Sequence, residues 1–232
     1  MFNNKKVIAF IPLRNSSKGI PNKNIKDFCG LPLFLIQTSI LTHMNIIDKV
    51  IISTDIQCIN DVYKNNKDQI VDRIEIFDRS PETATDTSTT ESAMLDYLNR
   101  TELDPDTIFI LVQATNPFTR KEDYEKALKM LDNYDSILSV VKMDRFFWKK
   151  TNDWSDSVNY DWCNRKRRQE FNNDLYLENG AFYINTVKNI LEYKNRIIET
   201  IGMYEMPQYS LFEIDNLEDW KLCEILYKEY CL

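Results

Sequence analysis

The stretch that decides the fold is "VIAF" (Val7–Phe10) running straight into "IPLRNSSKGIPNKN" (Ile11–Asn24). A short apolar run with the look of a buried strand ends in a loop carrying Arg14, Lys18 and Lys23 among Ser, Asn and Gly. Like charges held that close repel one another unless an anion sits among them. In an open parallel sheet, ligands bind beyond the carboxyl ends of the strands, which is where this loop begins. A solvated basic turn would use the same residue types. The position behind a strand favours a polyanion site, and a triphosphate has the charge to fill it. The loop has neither the G-x-x-x-x-G-K-[ST] nor the G-x-G-x-x-G arrangement of glycines.

Working outward, the same alternation repeats. "KVIIST", "IEIFD", "TIFILVQ" and "SILSVVKM" read as further strands, apolar without clean alternation, as strands covered on both faces are. Between them "LPLFLIQTSILTHM", "IQCINDVYKNN", "TSTTESAMLDYLNR" and "RKEDYEKALKMLDN" space their apolar residues as helices do. Alternating β and α predicts a three-layer α/β core around a mostly parallel sheet. The pattern breaks after Met143, where an aromatic and basic segment of about 144–174 shows neither period. A stretch that long without structure of its own is usually functional or an interface. Order resumes with strands at "GAFYIN", "GMYEM" and "LFEI", and with a helix from Thr186. A last helix, capped by Asn216, would turn Leu217, Trp220, Cys223, Leu226 and Tyr230 to one face. One domain over residues 1–232, with an excursion, is the simplest expectation.

Composition narrows the partners. A chain of 232 residues buries a core without staples, and its 43% hydrophobic and 28% charged content is that of a soluble globular protein. A net charge of −7 argues against a nucleic-acid partner, so any anion site is a local basic pocket on an acidic body. The five cysteines lack C-x-x-C spacing, which points to a reducing, cytoplasmic location. The run after the lysines of "MFNNKKVIAFIPLR" is too short for a signal peptide, and no stretch approaches the roughly 20 apolar residues of a membrane span.

Taken together, the quoted segments carry a resemblance. "IPLRNSSKGIPNKNI" resembles the first motif of the acylneuraminate cytidylyltransferases, IPARGGSKGIPNKNI. In the same order, "RSPETATDTSTT" resembles their RP-x-x-LA-x-D segment and "LVQATNPFTR" their LLQPTSPLR. "RRQEFNNDLYLENGAFYI" resembles RRQ…Y-R-x-NGAIYI, and "FEIDNLEDW" the aspartate-containing segment near the end. The likeness runs from Val7 to Trp220; K-G-x-x-x-K-N and N-G-A-x-Y-I are its specific parts. It implies a nucleotidyltransferase-type, Rossmann-like sheet whose excursion is a protruding dimerisation arm. It also implies the reaction of CTP with a nonulosonate, a nine-carbon acidic sugar, to give the CMP-sugar and pyrophosphate, by a homodimer.

The resemblance further implies site residues. Arg14 and Lys23, with Ser17 and Asn24, would hold the triphosphate; Arg79 and Ser80 would meet cytidine, with Asp86 shaping that loop. Gln113, Asn179 and Tyr183 would face the sugar, and Arg168 would reach phosphate or sugar from the arm. Glu213 and Asp215 would hold Mg²⁺, with Mn²⁺ as a substitute, and Arg14, Lys23 and Asp215 would carry catalysis. Three departures stand out: Asn15 and Ser16 replace small residues or glycines, Glu178 replaces a neutral residue, and Glu213 replaces an aspartate. The chemistry suits the inventory, because phosphoryl-type substitution needs positioning and charge stabilisation rather than a covalent nucleophile. The single histidine, His43, falls in a helical apolar pattern and is expected in or near the core rather than acting as a base. A Kdo-type cytidylyltransferase would carry S-x-R-L-P-G-K in the first loop, and a metal-dependent glycosyltransferase D-x-D behind the fourth strand. A non-catalytic nucleotide-sugar binding module would have no need of Arg14, Lys23 and Asp215 together.

Overall fold

A computed structural model describes residues 1–15, 19–167, 170 and 174–232. In chain order the elements are β1 (Val7–Leu13), β2 (Asp27–Phe28), β3 (Leu31–Pro32), α1 (Leu33–His43), β4 (Lys49–Thr54) and α2 (Ile59–Lys64). There follow β5 (Ile74–Asp78), α3 (Thr90–Asn99), β6 (Ile108–Val112), α4 (Lys121–Lys129) and β7 (Ser136–Lys142). The excursion holds β8 (Trp148–Lys150) and β9 (Ser155–Ser157), and β10 (Tyr176–Thr186), α5 (Val187–Tyr193), β11 (Ile201–Glu205) and α6 (Leu217–Tyr230) complete the chain.

Seven strands form one sheet in the order β11-β7-β10-β6-β1-β4-β5. β1 lies near its middle, parallel to β4 and β6, and its residues are buried with little alternation because helices cover both faces. Odd and even positions of β1 feed two cores, as a period of two requires. Val7, Ala9 and Ile11 pack with Phe34 and Leu35 of α1 and with Tyr124 and Leu128 of α4. Ile8 and Phe10 pack with Met94 and Tyr97 of α3 and with Ile190 of α5. The expected three-layer, mostly parallel α/β architecture is what the chain adopts.

β10 is the exception, antiparallel to both β6 and β7. Its first residue, Tyr176, pairs with Lys142, the last of β7, so the excursion replaces a helical crossover and the chain returns as a very long hairpin. Without a crossover, the returning strand must run antiparallel. β10 also starts before the predicted "GAFYIN".

Four further expectations are corrected. "LFEI" is no strand: Gln208–Leu211 is a 3₁₀ turn, and the Ile214 amide bonds only to the Thr115 carbonyl, 2.9 Å. The α6 face is narrower than its spacing suggested, because only Trp220 and Cys223 are buried; Leu217 and Tyr230 are exposed, Tyr230 stacking on Tyr209 with ring centroids 4.6 Å apart. His43 is exposed at the end of α1, its Nδ1 2.8 Å from the Ser39 carbonyl oxygen. The excursion is not structureless, since β8 and β9 pair as an antiparallel hairpin and Tyr160 packs on Phe146, ring centroids 4.5 Å apart. Among the described residues all five cysteines are free, and no helix is long and apolar enough to cross a membrane.

Candidate functional site

The carboxyl ends of β1 and β6 open onto a cleft of about 410 Å³. Pro12 and Arg14 enter it from the end of β1, Lys23 and Asn24 from the turn that follows, and Arg79 from behind β5. Gln113, Ala114 and Thr115 come from behind β6, and Glu213 and Asp215 from the segment before α6. Residues far apart in the chain therefore meet because every β-strand they follow, apart from the last pair, points the same way.

Each cation is held by a different device. Arg14 pairs with Asp86, Nη1 to Oδ1 3.2 Å, while its carbonyl accepts a hydrogen bond from Asn24 Nδ2 at 3.0 Å. The Lys23 ammonium is largely buried; it donates to the Ile214 carbonyl at 2.7 Å and to Asp215 Oδ1 at 3.3 Å. Arg79 is buried and bonds to Thr83 through Nε and Nη2, and burial lowers its pKa while the Asp55 charge opposes that fall. Asp55 also accepts from the Asn15 amide at 2.7 Å, fixing the point where the first loop leaves the sheet.

The acidic side faces these groups. The Glu213 carboxyl is pushed up to about 7, first by burial and then by the Asp215 carboxylate, with Lys23 opposing and Glu178 adding to the rise. Gly180, at φ 62°, lies against it: a Cβ there would stand 2.7 Å from Glu213 Oε1. Two carboxylates crowded enough to repel, in a cleft that can take phosphate oxygens, suit a hard divalent cation that completes its shell with substrate and water. Among the described residues no group of three or more His, Cys, Asp or Glu forms a metal cage, so Glu213 and Asp215 could supply only part of a shell.

The other sequence-predicted residues are placed as follows. Asp86 and Gln113 line the cleft, but Ser80 does not: its hydroxyl donates to Asp96 Oδ1 at 2.7 Å and accepts from Arg100 at 3.0 Å, tying β5 to α3. Asn179 is buried beside the cleft, with Nδ2 donating to the Ser210 carbonyl and hydroxyl at 3.1 and 3.0 Å. Tyr183 is buried too, its hydroxyl donating to Glu178. Ser17 and Arg168 lie outside the described residues. Sequence reading missed Asn116, fully buried, whose Nδ2 donates to the carbonyls of Asn179 and Ser210 at 2.8 and 2.9 Å and so joins β10 to the segment before α6. Its only signal was a polar residue in the "QATNPF" turn. It also passed over Thr89, which lines the cleft and caps α3 by accepting from the Ser92 amide at 3.1 Å.

The family model for cytidylyltransferases matches residues 8–230. The chain belongs to that family. An N-acylneuraminate cytidylyltransferase from Oncorhynchus mykiss is 33% identical over 228 residues, covering 94% of this chain and 49% of its own length. The chain thus spans about half the length of that relative. A pseudaminic acid cytidylyltransferase from Campylobacter jejuni is 27% identical over 232 residues, covering 96% of this cytidylyltransferase chain and 97% of its own. In fold, a 4-diphosphocytidyl-2C-methyl-D-erythritol synthase from Anaerococcus prevotii superposes with a TM-score of 0.70 over 97% of this chain and 96% of its own, at 14% identity.

Proposed function

We propose that this cytidylyltransferase activates a nonulosonate of the sialic, legionaminic or pseudaminic type with CTP, releasing pyrophosphate. The observation that carries the reading is the convergence of Arg14, Lys23 and Arg79 with Glu213 and Asp215 on one cleft. The names of the relatives above support the substrate class. Arg14 and Lys23 would hold the triphosphate, and half-buried Glu213 with exposed Asp215 would hold Mg²⁺. Such an ion would neutralise charge that builds up on phosphate oxygens. The bond that forms joins the sugar's anomeric hydroxyl oxygen to the α-phosphorus, and the bond that breaks frees pyrophosphate. The fixed cations favour that step because they face developing negative charge in a site already organised to receive it. Pyrophosphate release measured with each of four nucleoside triphosphates against a panel of nonulosonates should appear with CTP. Release only with UTP or GTP, or only with aldose 1-phosphates, would refute the reading.

The excursion supports a homodimer. Trp148, Trp154 and Trp162 are all more than half exposed, and apolar surface of that kind commonly marks an interface. In this reading Arg168 acts across the dimer on the partner's phosphate or sugar carboxylate, in a cytoplasmic enzyme whose product feeds surface-polysaccharide synthesis. Arg168→Ala and Arg14→Ala subunits, each nearly inactive alone, should regain activity when refolded together, since each mixed dimer then holds one intact site. Monomers in sedimentation, or no recovery from proven heterodimers, would exclude the role in trans.

A further inference from the structure

One side chain ties the turn behind β6 to two distant stretches of chain. Asn116 is fully buried and is no part of the cleft wall that its neighbours Gln113, Ala114 and Thr115 line. Its Nδ2 donates to the Asn179 carbonyl at 2.8 Å and to the Ser210 carbonyl at 2.9 Å, and its Oδ1 accepts from the Phe118 amide at 3.3 Å. That last bond fixes which way the amide faces, so both N–H donors are spent on backbone oxygens. The Ser210 carbonyl accepts a second bond, from Asn179 Nδ2 at 3.1 Å, and the Ser210 hydroxyl donates to the Pro207 carbonyl at 2.7 Å. A buried polar network satisfied in this way is rigid.

Each stretch so tied carries a residue of the cleft or leans on one. Asn179 lies in the bulge of β10, where the register against β7 shifts: Glu178 pairs with Val140 but Tyr183 with Leu138, five steps on β10 against two on β7. Gly180, in the same bulge at φ 62°, lies against the Glu213 carboxylate. The Gln113 amide donates to the Ala181 carbonyl at 3.1 Å, and the Gln113 carbonyl accepts from the Asn116 amide at 3.2 Å, so Gln113 is seated between the bulge and Asn116. Ser210 belongs to the 3₁₀ turn Gln208–Leu211 that leads into Glu213, and the Ile214 amide returns to the Thr115 carbonyl. Gln113 and Glu213 therefore share one frame, with Asn116 at its centre. Arg14, Asn24 and Arg79 are held by other bonds, to Asp86, to the Arg14 carbonyl and to Thr83. Lys23 alone joins the two sets, through the Ile214 carbonyl.

We propose that Asn116 is a positioning residue for the use of the sugar: through the Asn179 and Ser210 carbonyls it sets where Gln113 and Glu213 stand relative to each other. This rests on the activation reading above. Bridging two carbonyls takes two donors on one side chain. The family motif LLQPTSPLR has serine where this chain has Asn116, and a serine hydroxyl has a single hydrogen to give. Serine in this frame would satisfy one carbonyl and leave the other without its buried partner. The bulge and the 3₁₀ turn would then lose their fixed separation. A small displacement of that kind lowers the rate even though every contacting group is still present.

The test compares the wild type with Asn116→Ser and Asn116→Asp by steady-state kinetics, by calorimetric binding of CTP without sugar, and by a thermal melt. Serine keeps one donor; aspartate keeps the shape and sets a carboxylate against two carbonyl oxygens. With the nonulosonate that the wild type uses best, kcat/KM for the sugar should fall on the order of tenfold in the serine variant and a hundredfold in the aspartate variant, while CTP affinity stays within about threefold. If the aspartate variant does not fold, the serine variant decides. Unchanged kcat/KM in it, equal losses of sugar use and CTP affinity, or failure of the serine variant to fold would each overturn the assignment and leave the activation reading intact. No pyrophosphate release by the wild type from CTP with any nonulosonate would defeat the activation reading, and this assignment with it.

Discussion

Gly19→Ala is expected to lower kcat/KM for CTP by on the order of a hundredfold, the scale that a displacement of about 1 Å at a reacting centre produces. A Cβ at position 19 would stand 1.9 Å from the backbone oxygen of Asp215 and 3.1 Å from its carbonyl carbon. Neither atom is the end of a flexible side chain, so the loop and the segment before α6 must separate. Lys23 would feel it at once, because its ammonium donates to the neighbouring Ile214 carbonyl and to Asp215. The separation pulls the turn that carries Lys23 off the acidic pair, and the cations and carboxylates of the cleft lose their common geometry. Overpacking of this kind also costs about 1–3 kcal/mol of stability. Steady-state kinetics beside a thermal melt separates the two effects. Unchanged kcat/KM would show that the loop is not seated on Asp215.

That contact was half legible beforehand. The spacing of Gly19 and Lys23 in "KGIPNK" marks a loop that must come close to something, but no period in the sequence says that the partner lies almost two hundred residues on. Local rules read well. Asn216 caps α6, its Oδ1 accepting from the amides of Glu218 and Asp219 at 2.8 and 3.0 Å, and Thr186 caps α5. The non-alternating runs of β1, β4 and β6 identified strands covered on both sides. What failed depends on chain paths rather than on periods. "LFEI" has the residues of a strand but finds no strand to pair with beyond the 3₁₀ turn. The direction of β10 depends on whether the excursion crosses the sheet or returns, and composition carries no such information. The bulge that joins Glu178 to Tyr183 was equally hidden, since only the register of β7 reveals it. Ser80 was hidden in the same way: its place in a motif suggested a ligand contact, and only the fold shows Asp96 of α3 accepting from both its amide and its hydroxyl.

In the proposed reading, electrostatics explains how so acidic a chain would hold a triphosphate. Its net charge of −7 repels polyanions at a distance, so capture depends on groups that act at short range inside the cleft. Lys23 and Arg79 are both nearly buried, where their charges are screened less than on the surface. The carboxylates that accompany them, Asp55, Asp86 and Asp215, keep that cationic cluster from repelling itself before nucleotide arrives.

Asp215→Asn should cut turnover on the order of a hundredfold, the loss that follows removal of one electrostatic contact to a transition state. Folding should be almost unaffected, because the Asp215 side chain is 76% exposed and its backbone is held independently, the amide donating to Asp219 Oδ2 at 3.0 Å. Asparagine keeps the size of the side chain and can still accept from Lys23, so the change removes charge and little else. Two mechanisms could produce the loss, and they separate by titration. If Asp215 holds a divalent cation together with Glu213, the variant needs more Mg²⁺ for half-maximal rate, and excess Mg²⁺ restores part of the turnover. If Asp215 acts only by orienting Lys23, the loss is the same at every Mg²⁺ concentration. Full activity in the variant, or wild-type activity that survives excess EDTA, would refute the metal assignment.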